Sequence, residues 1–372
     1  MIASHKGRPP FRADHVGSLL RPAALRQAHR EHAADRLDDA TFAQILDRCI
    51  RDAVRLQEDA GLKVVTDGEF RRGSYWSRFV ERVEGFAIKP AVFKFRDEQG
   101  NEVDYTAPYA VGKLKRVRPV ALDEYLFVRD ATRSMAKMTL PSPSTMHFFR
   151  CTDFADTSAY PSLDEFFADL GRVFRDEIAD LARAGCRYLQ LDEVALAQLC
   201  DPAIRKMVED AGQNPDRLVD VYIESLNDAF AAAPPGMICA VHMCRGNFKG
   251  RYLASGGYES VAERFFGRTK ANHFLLEYDT PRAGDFQPLR FVKDQGVVLG
   301  LVSSKTPVPE RLDDLRRRVA EATRYIALDR LAISPQCGFA STVAGNPLTE
   351  SDERAKLALV VTAAQSIWHE QG

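Results

Sequence analysis

The stretch VHMCRGNF, residues 241–248, sets a histidine and a cysteine one residue apart directly after the apolar run GMICAV. Alternate residues of an extended strand point the same way, so His242 and Cys244 can offer an imidazole and a thiolate to one ion. Two more residues of metal-ligand type stand where later apolar runs end: Glu277 in FLLEYDT and Cys337 in ISPQCGF. Together the four form a set suited to zinc, Zn2+, able to close a tetrahedron at about 2.0 to 2.3 Å. The His-x-Cys pair alone carries little weight, because such a pair is more often a satisfied polar group beside a small buried residue. A fold that gathers all four would give it weight.

Two carboxylates raise a similar question. Glu69 follows VVTDG and Asp192 follows YLQL, each at the end of a run that reads as a buried strand. A charge placed there requires a cationic partner. That partner is either an arginine such as Arg71, in a structural ion pair, or the cation of a bound molecule. Glu193, next to Asp192, is expected to face the other side of the strand, and His15 is open between a ligand-binding role and a turn role. The seven cysteines, 49, 151, 186, 200, 239, 244 and 337, are odd in number and widely scattered, which argues against a disulfide framework. Cys186 and Cys239 lie inside apolar runs and read as core residues.

The elements that must position these groups alternate along the chain. Strand candidates occur at 62–67, 134–140, 187–193, 237–243, 273–279, 296–302 and 330–335, with an eighth at 11–17 in FRADHVG. Helix-period segments separate most of them; SLDEFFADLGRVFRDEIADLARAG opens on Ser162 and Glu165, spaced as a capping box, and stops at Gly185. Strands alternating with helices imply a parallel sheet covered by helices, and eight such strands close a (β/α)8 TIM barrel of α/β class. In that fold the C-terminal strand ends converge on one mouth, which would bring together residues 242, 244, 277 and 337. The segment from about 77 to 133 breaks the rhythm: AVFKFRDEQGNEVDYTAPYAV alternates with period two around Gly-Asn, which predicts a β-hairpin insertion within a single domain spanning 1–372. The charged run RLDDLRRRVAE reads as a solvated helix face.

Composition narrows the partners. With 51 basic against 52 acidic residues the net charge is −1, which offers nothing to a polyanion, so no nucleic-acid partner is expected. The first residues carry no apolar signal core and no run reaches the roughly 20 apolar residues that span a bilayer, so a cytoplasmic protein without membrane association is expected. The composition leaves the oligomeric state open.

Seven ordered segments carry a resemblance to a known family. HMCRGNF, LEYDTPRAGDF and ISPQCGFAS resemble the ligand-bearing segments of the cobalamin-independent methionine synthases, and RADHVGSLLRP, VVTDGEFRRGSYW, MTLPSPSTM and LQLDEVAL resemble other parts of their catalytic barrel. The likeness runs from about residue 11 to 340. It implies a zinc-dependent methyltransferase of methionine biosynthesis, moving a methyl group to homocysteine from a methyltetrahydrofolate-like or other donor. It further implies zinc on His242, Cys244, Glu277 and Cys337, the substrate ammonium on Glu69 and Asp192, and the carboxylate on the Val16, Gly17, Ser18 loop. Glu277 and Asp192 are then the catalytic candidates, Glu277 as the hard ligand that loosens when a thiol enters. A zinc-bound thiol is deprotonated, and a site with two thiolates and a carboxylate favours alkyl transfer over hydrolysis.

Two departures qualify the likeness. The chain has no room for the second, N-terminal barrel of the long enzymes and its folate-polyglutamate clamp, and Val302 precedes Ser303 where those enzymes are expected to carry a histidine. The resemblance is therefore to the short, single-barrel form. Two other readings stay open: a zinc enzyme joining a different thiol to an electrophile such as an epoxide, and a partner-dependent methyl-transfer module.

Overall fold

A computed structural model describes residues 7–97 and 99–369; residues 1–6, part of the segment read for an export signal, lie outside them. Seven strands form one curled parallel sheet in sequence order: β1 Val64–Val65, β2 Met135–Pro141, β3 Tyr188–Asp192, β4 Ile238–Met243, β5 His273–Glu277, β6 Gly296–Val302 and β7 Leu331–Pro335. All seven fall on predicted runs. The eighth candidate, 11–17, makes a single parallel bridge, Ala13 to Ile333 of β7. Asp14 N donates to Ile333 O at 3.0 Å and Ile333 N to Arg12 O at 2.9 Å. On its other side it reaches the β1 end, where Leu19 N donates to Gly68 O at 3.1 Å.

The first segment stays short of a full strand because inward side chains claim its carbonyls. Lys137 Nζ bonds His15 O. Gln190 Nε2 donates to Val16 O at 2.7 Å and Thr66 Oγ1 to Gly17 O at 2.6 Å. A carbonyl satisfied in this way has little need of a neighbouring strand.

Helices pack outside the sheet. Leu163–Arg183 is capped by Ser162, whose Oγ accepts from Glu165 N at 3.2 Å, and stops at Gly185 with φ 93°. Its inner stripe, Phe166, Leu170, Phe174, Ile178 and Leu181, is fully buried, each side chain contributing about 1.5 to 3 kcal/mol through removal from water. No helix among the described residues is long and apolar enough to cross a membrane.

Inside the barrel the strands stack in layers. Val64, Tyr188, Ala240, Leu275, Val298 and Ala332 form an apolar floor. Above it lies a charged layer: Lys137 Nζ is 2.8 Å from Asp14 Oδ1 and 3.1 Å from Gln190 Oε1, and Tyr188 OH donates to Asp14 Oδ2 at 2.6 Å. The next inward residues, Thr139 and Asp192, reach the mouth.

Within 77–133, Val83–Pro90 pairs antiparallel with Thr106–Arg116, and a smaller hairpin, Phe95–Arg96 with Glu102–Val103, closes near Gly100 and Asn101. The excursion folds back over the mouth. Arg96 and Tyr252 exchange backbone hydrogen bonds at 2.8 and 3.0 Å, and the Phe93 and Phe148 rings stack with centroids 4.8 Å apart. The helix Leu122–Ala131, in the same span, packs against β2 as one of the outer helices.

Candidate functional site at the barrel mouth

Parallel register brings the predicted residues level. Asp192 at the end of β3 stands opposite His242 on β4, and Glu277 ending β5 stands opposite Gly300 on β6. The ligand atoms of His242, Cys244 and Cys337 lie within 4.8 Å of one another, all buried. The two sulfurs are 3.6 Å apart. His242 Nδ1 lies 3.2 Å from Leu275 O, so the ring hydrogen belongs there, and Nε2 is buried with no hydrogen-bond partner among the described residues. An orphaned ring nitrogen beside two converging sulfurs is a donor set that fits zinc.

Charge is already concentrated at this centre. Cys337 is held well below the usual thiol range by the Cys244 hydrogen bond, against burial and with help from His242 and Lys305. Cys244 is pushed well up by the same hydrogen bond and by burial. His242 is raised although burial favours the neutral ring, because Cys337, Asp192 and Glu277 surround it.

Glu277 falls outside the group of three. Its Oε2 accepts from Arg245 N at 2.7 Å, while Oε1 has no hydrogen-bond partner among the described residues and lies 3.8 Å from Lys305 Nζ and 3.9 Å from Arg282 Nη2. Those cations and the Arg245 guanidinium overcome burial and keep the carboxyl below its ordinary range.

Glu69 reaches the mouth from a strained backbone, with φ 61°, a left-handed conformation rare for glutamate. Its amide donates to Asp67 Oδ1 at 2.8 Å, and Arg21 Nη2 donates to its carbonyl at 2.7 Å. Its Oε1 accepts from Thr139 Oγ1 at 2.8 Å and is 3.5 Å from Arg72 Nη1. Arg71, the arginine suggested by sequence as a partner, turns away to Asp47 at 2.6 Å; Arg72, bridging Glu69 and Glu124, takes that place. Among the described residues no arginine pairs with Asp192; Gln190 Nε2 donates to its Oδ1 at 2.7 Å. Burial pushes Asp192 up to about 7, with Glu69 adding to the rise and His242 opposing it.

Val16, Ser18, Glu69, Asp192, His242, Cys244 and Cys337 line one narrow cleft with about 470 Å³ of atom-free space. Gly17 lies behind it, at φ 140°, where a Cβ would sit 2.8 Å from Thr139 Cγ2. Gly338 shapes the wall, since a Cβ there would sit 1.9 Å from Ser18 Oγ. His15 is buried against Val64 O at 3.3 Å, and burial drives its pKa down to about 3, a neutral structural residue away from the cleft. Glu193 does turn away from it, accepting from Ser144 Oγ at 2.7 Å and Leu196 N at 3.0 Å.

Sequence reasoning missed the roof of the cleft: Tyr75, Phe95, Tyr105 and Phe149. Two of these come from the excursion. Their alternation marks a hairpin, but nothing local marks which face the site.

The family described as "Cobalamin-independent synthase, Catalytic domain" matches residues 11–254. The chain is 38% identical to the uncharacterized protein YxjH of Bacillus subtilis, over 97% of this chain and 96% of that one. A methionine synthase of Pyrococcus abyssi is 24% identical, covering 87% of this chain and 85% of its own. Among solved structures, a Listeria monocytogenes chain whose description names a vitamin-B12 independent methionine synthase superposes with TM-score 0.76 at 31% identity, covering 97% and 98% of the two chains.

Proposed function

The chain belongs to the cobalamin-independent synthase family and is a methyltransferase, and from that premise we propose that it methylates the sulfur of homocysteine to give methionine at a zinc centre in the barrel mouth. One observation carries the reading: three converging metal-ligand atoms, on His242, Cys244 and Cys337, share a cleft with Ser18, Glu69 and Asp192. Glu277 is assigned as the fourth ligand. When bound there, zinc keeps the substrate sulfur as a nucleophilic thiolate. Glu69 and Asp192 hold the substrate ammonium, and the Ser18 hydroxyl with the neighbouring loop amides holds its carboxylate. Arg72 fixes Glu69, and Gln190 fixes Asp192, so both carboxylates are oriented before the amino acid enters. The aromatic roof excludes water from the methyl carbon.

Metal analysis and calorimetry test this. The purified protein is expected to hold one zinc per chain and to release a proton on binding homocysteine, because the thiol enters as thiolate. The Cys244→Ser, Cys337→Ser double variant should lose the zinc while remaining folded; full zinc in that variant defeats the site.

A further inference from the structure

We infer that Gln190, oriented by Lys137, is a specificity-determining positioning residue for the amino-acid end of the thiol: one side-chain amide sets both the ammonium grip and the carboxylate grip. This rests on the thiol-methylation reading and deepens it. A primary amide offers an acceptor oxygen and two N–H donors, and here all three functions are engaged. Oε1 accepts from Lys137 Nζ at 3.1 Å, while Nε2 donates to Asp192 Oδ1 and to Val16 O, both at 2.7 Å. Gln190 is itself fully buried, level with Thr139 on β2 and Ala240 on β4.

A lysine ammonium donates and never accepts, so Lys137 dictates which end of the amide is the oxygen. Its own place is fixed in turn, at 2.8 Å from Asp14 Oδ1 and against His15 O. With the oxygen taken, the two hydrogens of Gln190 are left for Asp192 on one side and the mouth loop on the other.

The bond to the loop does more than hold a carbonyl. Across a trans peptide the C=O and the following N–H point opposite ways, and no peptide among the described residues is cis. Three successive carbonyls, of His15, Val16 and Gly17, are drawn to Lys137, Gln190 and Thr66. The amides of Val16, Gly17 and Ser18 are therefore turned away from those partners, and none has a hydrogen-bond partner among the described residues. Successive free amides form an anion-binding concavity, which suits an α-carboxylate, and Val16 and Ser18 line the cleft together with Asp192. One amide thus prepares both grips before the amino acid enters. A thiol with neither charged group gains nothing from it, a thiol with one gains from one side, and homocysteine gains from both.

Calorimetry on the intact zinc-loaded protein tests this with four thiols: homocysteine; 4-mercaptobutanoate, which lacks the ammonium; 3-aminopropane-1-thiol, which lacks the carboxylate; and propane-1-thiol, which lacks both. Gln190→Met keeps the bulk of the side chain and leaves Lys137 on Asp14 and His15 O. It should weaken 4-mercaptobutanoate and 3-aminopropane-1-thiol by about tenfold each, the scale of one hydrogen bond to a charged group, and homocysteine by about the product of the two. Propane-1-thiol affinity and zinc content should hold. Gln190→Glu keeps an oxygen for Lys137 and gives the same reading through 4-mercaptobutanoate if Gln190→Met does not fold. That thiol decides the point, because it carries nothing for Asp192 to hold. Its unchanged affinity would confine Gln190 to Asp192 and overturn the inference while the thiol reading stands. An equal loss for all four thiols overturns it as well, as a general loosening of the site. If the unsubstituted protein binds homocysteine no more tightly than propane-1-thiol, the amino-acid clamp is absent and both readings fall.

Discussion

The two ends of the barrel differ in a way that separates space from function. At the N-terminal end, a groove with about 960 Å³ of atom-free space opens among Lys63, Arg129, Arg133 and Arg187, all exposed. At the C-terminal end the space is about 470 Å³ and no lysine or arginine lines it among the described residues, yet buried ligand atoms, two carboxylates and four aromatic rings converge there. The larger groove holds charges that water already satisfies. In the smaller cleft, polar atoms such as His242 Nε2 lack partners and gain most from a ligand. Convergence of unsatisfied groups, more than volume, marks the site.

The strongest way to sharpen this contrast is through Glu353, which supports the mouth loop. It is buried, accepts from Leu20 N at 2.8 Å, and burial, with Glu350 adding, pushes its pKa up to about 8. A carboxyl whose folded pKa lies above its unfolded value contributes stability that is full below about pH 4.5 and is lost as pH rises towards 8. Glu353→Gln keeps an acceptor for Leu20 N and removes the titration. It should stabilise the fold at pH 7 by on the order of 3 kcal/mol and flatten the pH dependence between 5 and 8 in denaturant melts. A variant that is less stable at pH 7 would show that the charged form is accommodated.

A smaller effect is expected at Asp192. If it holds the substrate ammonium, Asp192→Asn should weaken homocysteine by about 1.5 to 3 kcal/mol in calorimetry and spare a thiol lacking the amino group. Zinc content should hold, and the melting temperature at pH 7 should not fall, since the substitution removes a carboxyl that burial already pushes up to about 7. An unchanged ratio of the two thiol affinities would remove Asp192 from substrate binding and blur the distinction between the two ends.

The smallest effect belongs to the opposite end. Ala substitution at Lys63, Arg133 or Arg187 should change stability by no more than about 0.5 kcal/mol and leave homocysteine affinity alone, since these charges are solvated and far from the chemistry. A marked loss of thiol binding from any of them would mean that the N-terminal groove communicates with the mouth.

Much of the barrel is legible in the linear chain. Runs such as MICAVHM and GVVLGLV are short, aliphatic and buried on both faces, and helix stops such as Gly185 act locally, so strand positions follow from nearest neighbours in sequence. The convergence of His242, Cys244 and Cys337 is legible too, because a parallel barrel places every strand end at one mouth. Segment 11–17 is less so: its carbonyls go to Lys137, Gln190 and Thr66, partners at least 49 residues away in sequence, and it makes one bridge instead of a strand.

Other features depend on contacts that no local pattern encodes. Arg72 rather than Arg71 reaches Glu69 because Glu69 takes a left-handed backbone after Gly68, which redirects the following side chains. Glu277 stands apart from the other three because Lys305, from the loop after β6, and the Arg245 amide hold its carboxylate. Phe95 and Tyr105 face the cleft only because the excursion folds back to Tyr252. Residue types and strand ends are set by short-range chemistry, whereas the direction of each charge and ring at the mouth is set by neighbours distant in the chain, whose position is known only once the barrel has closed.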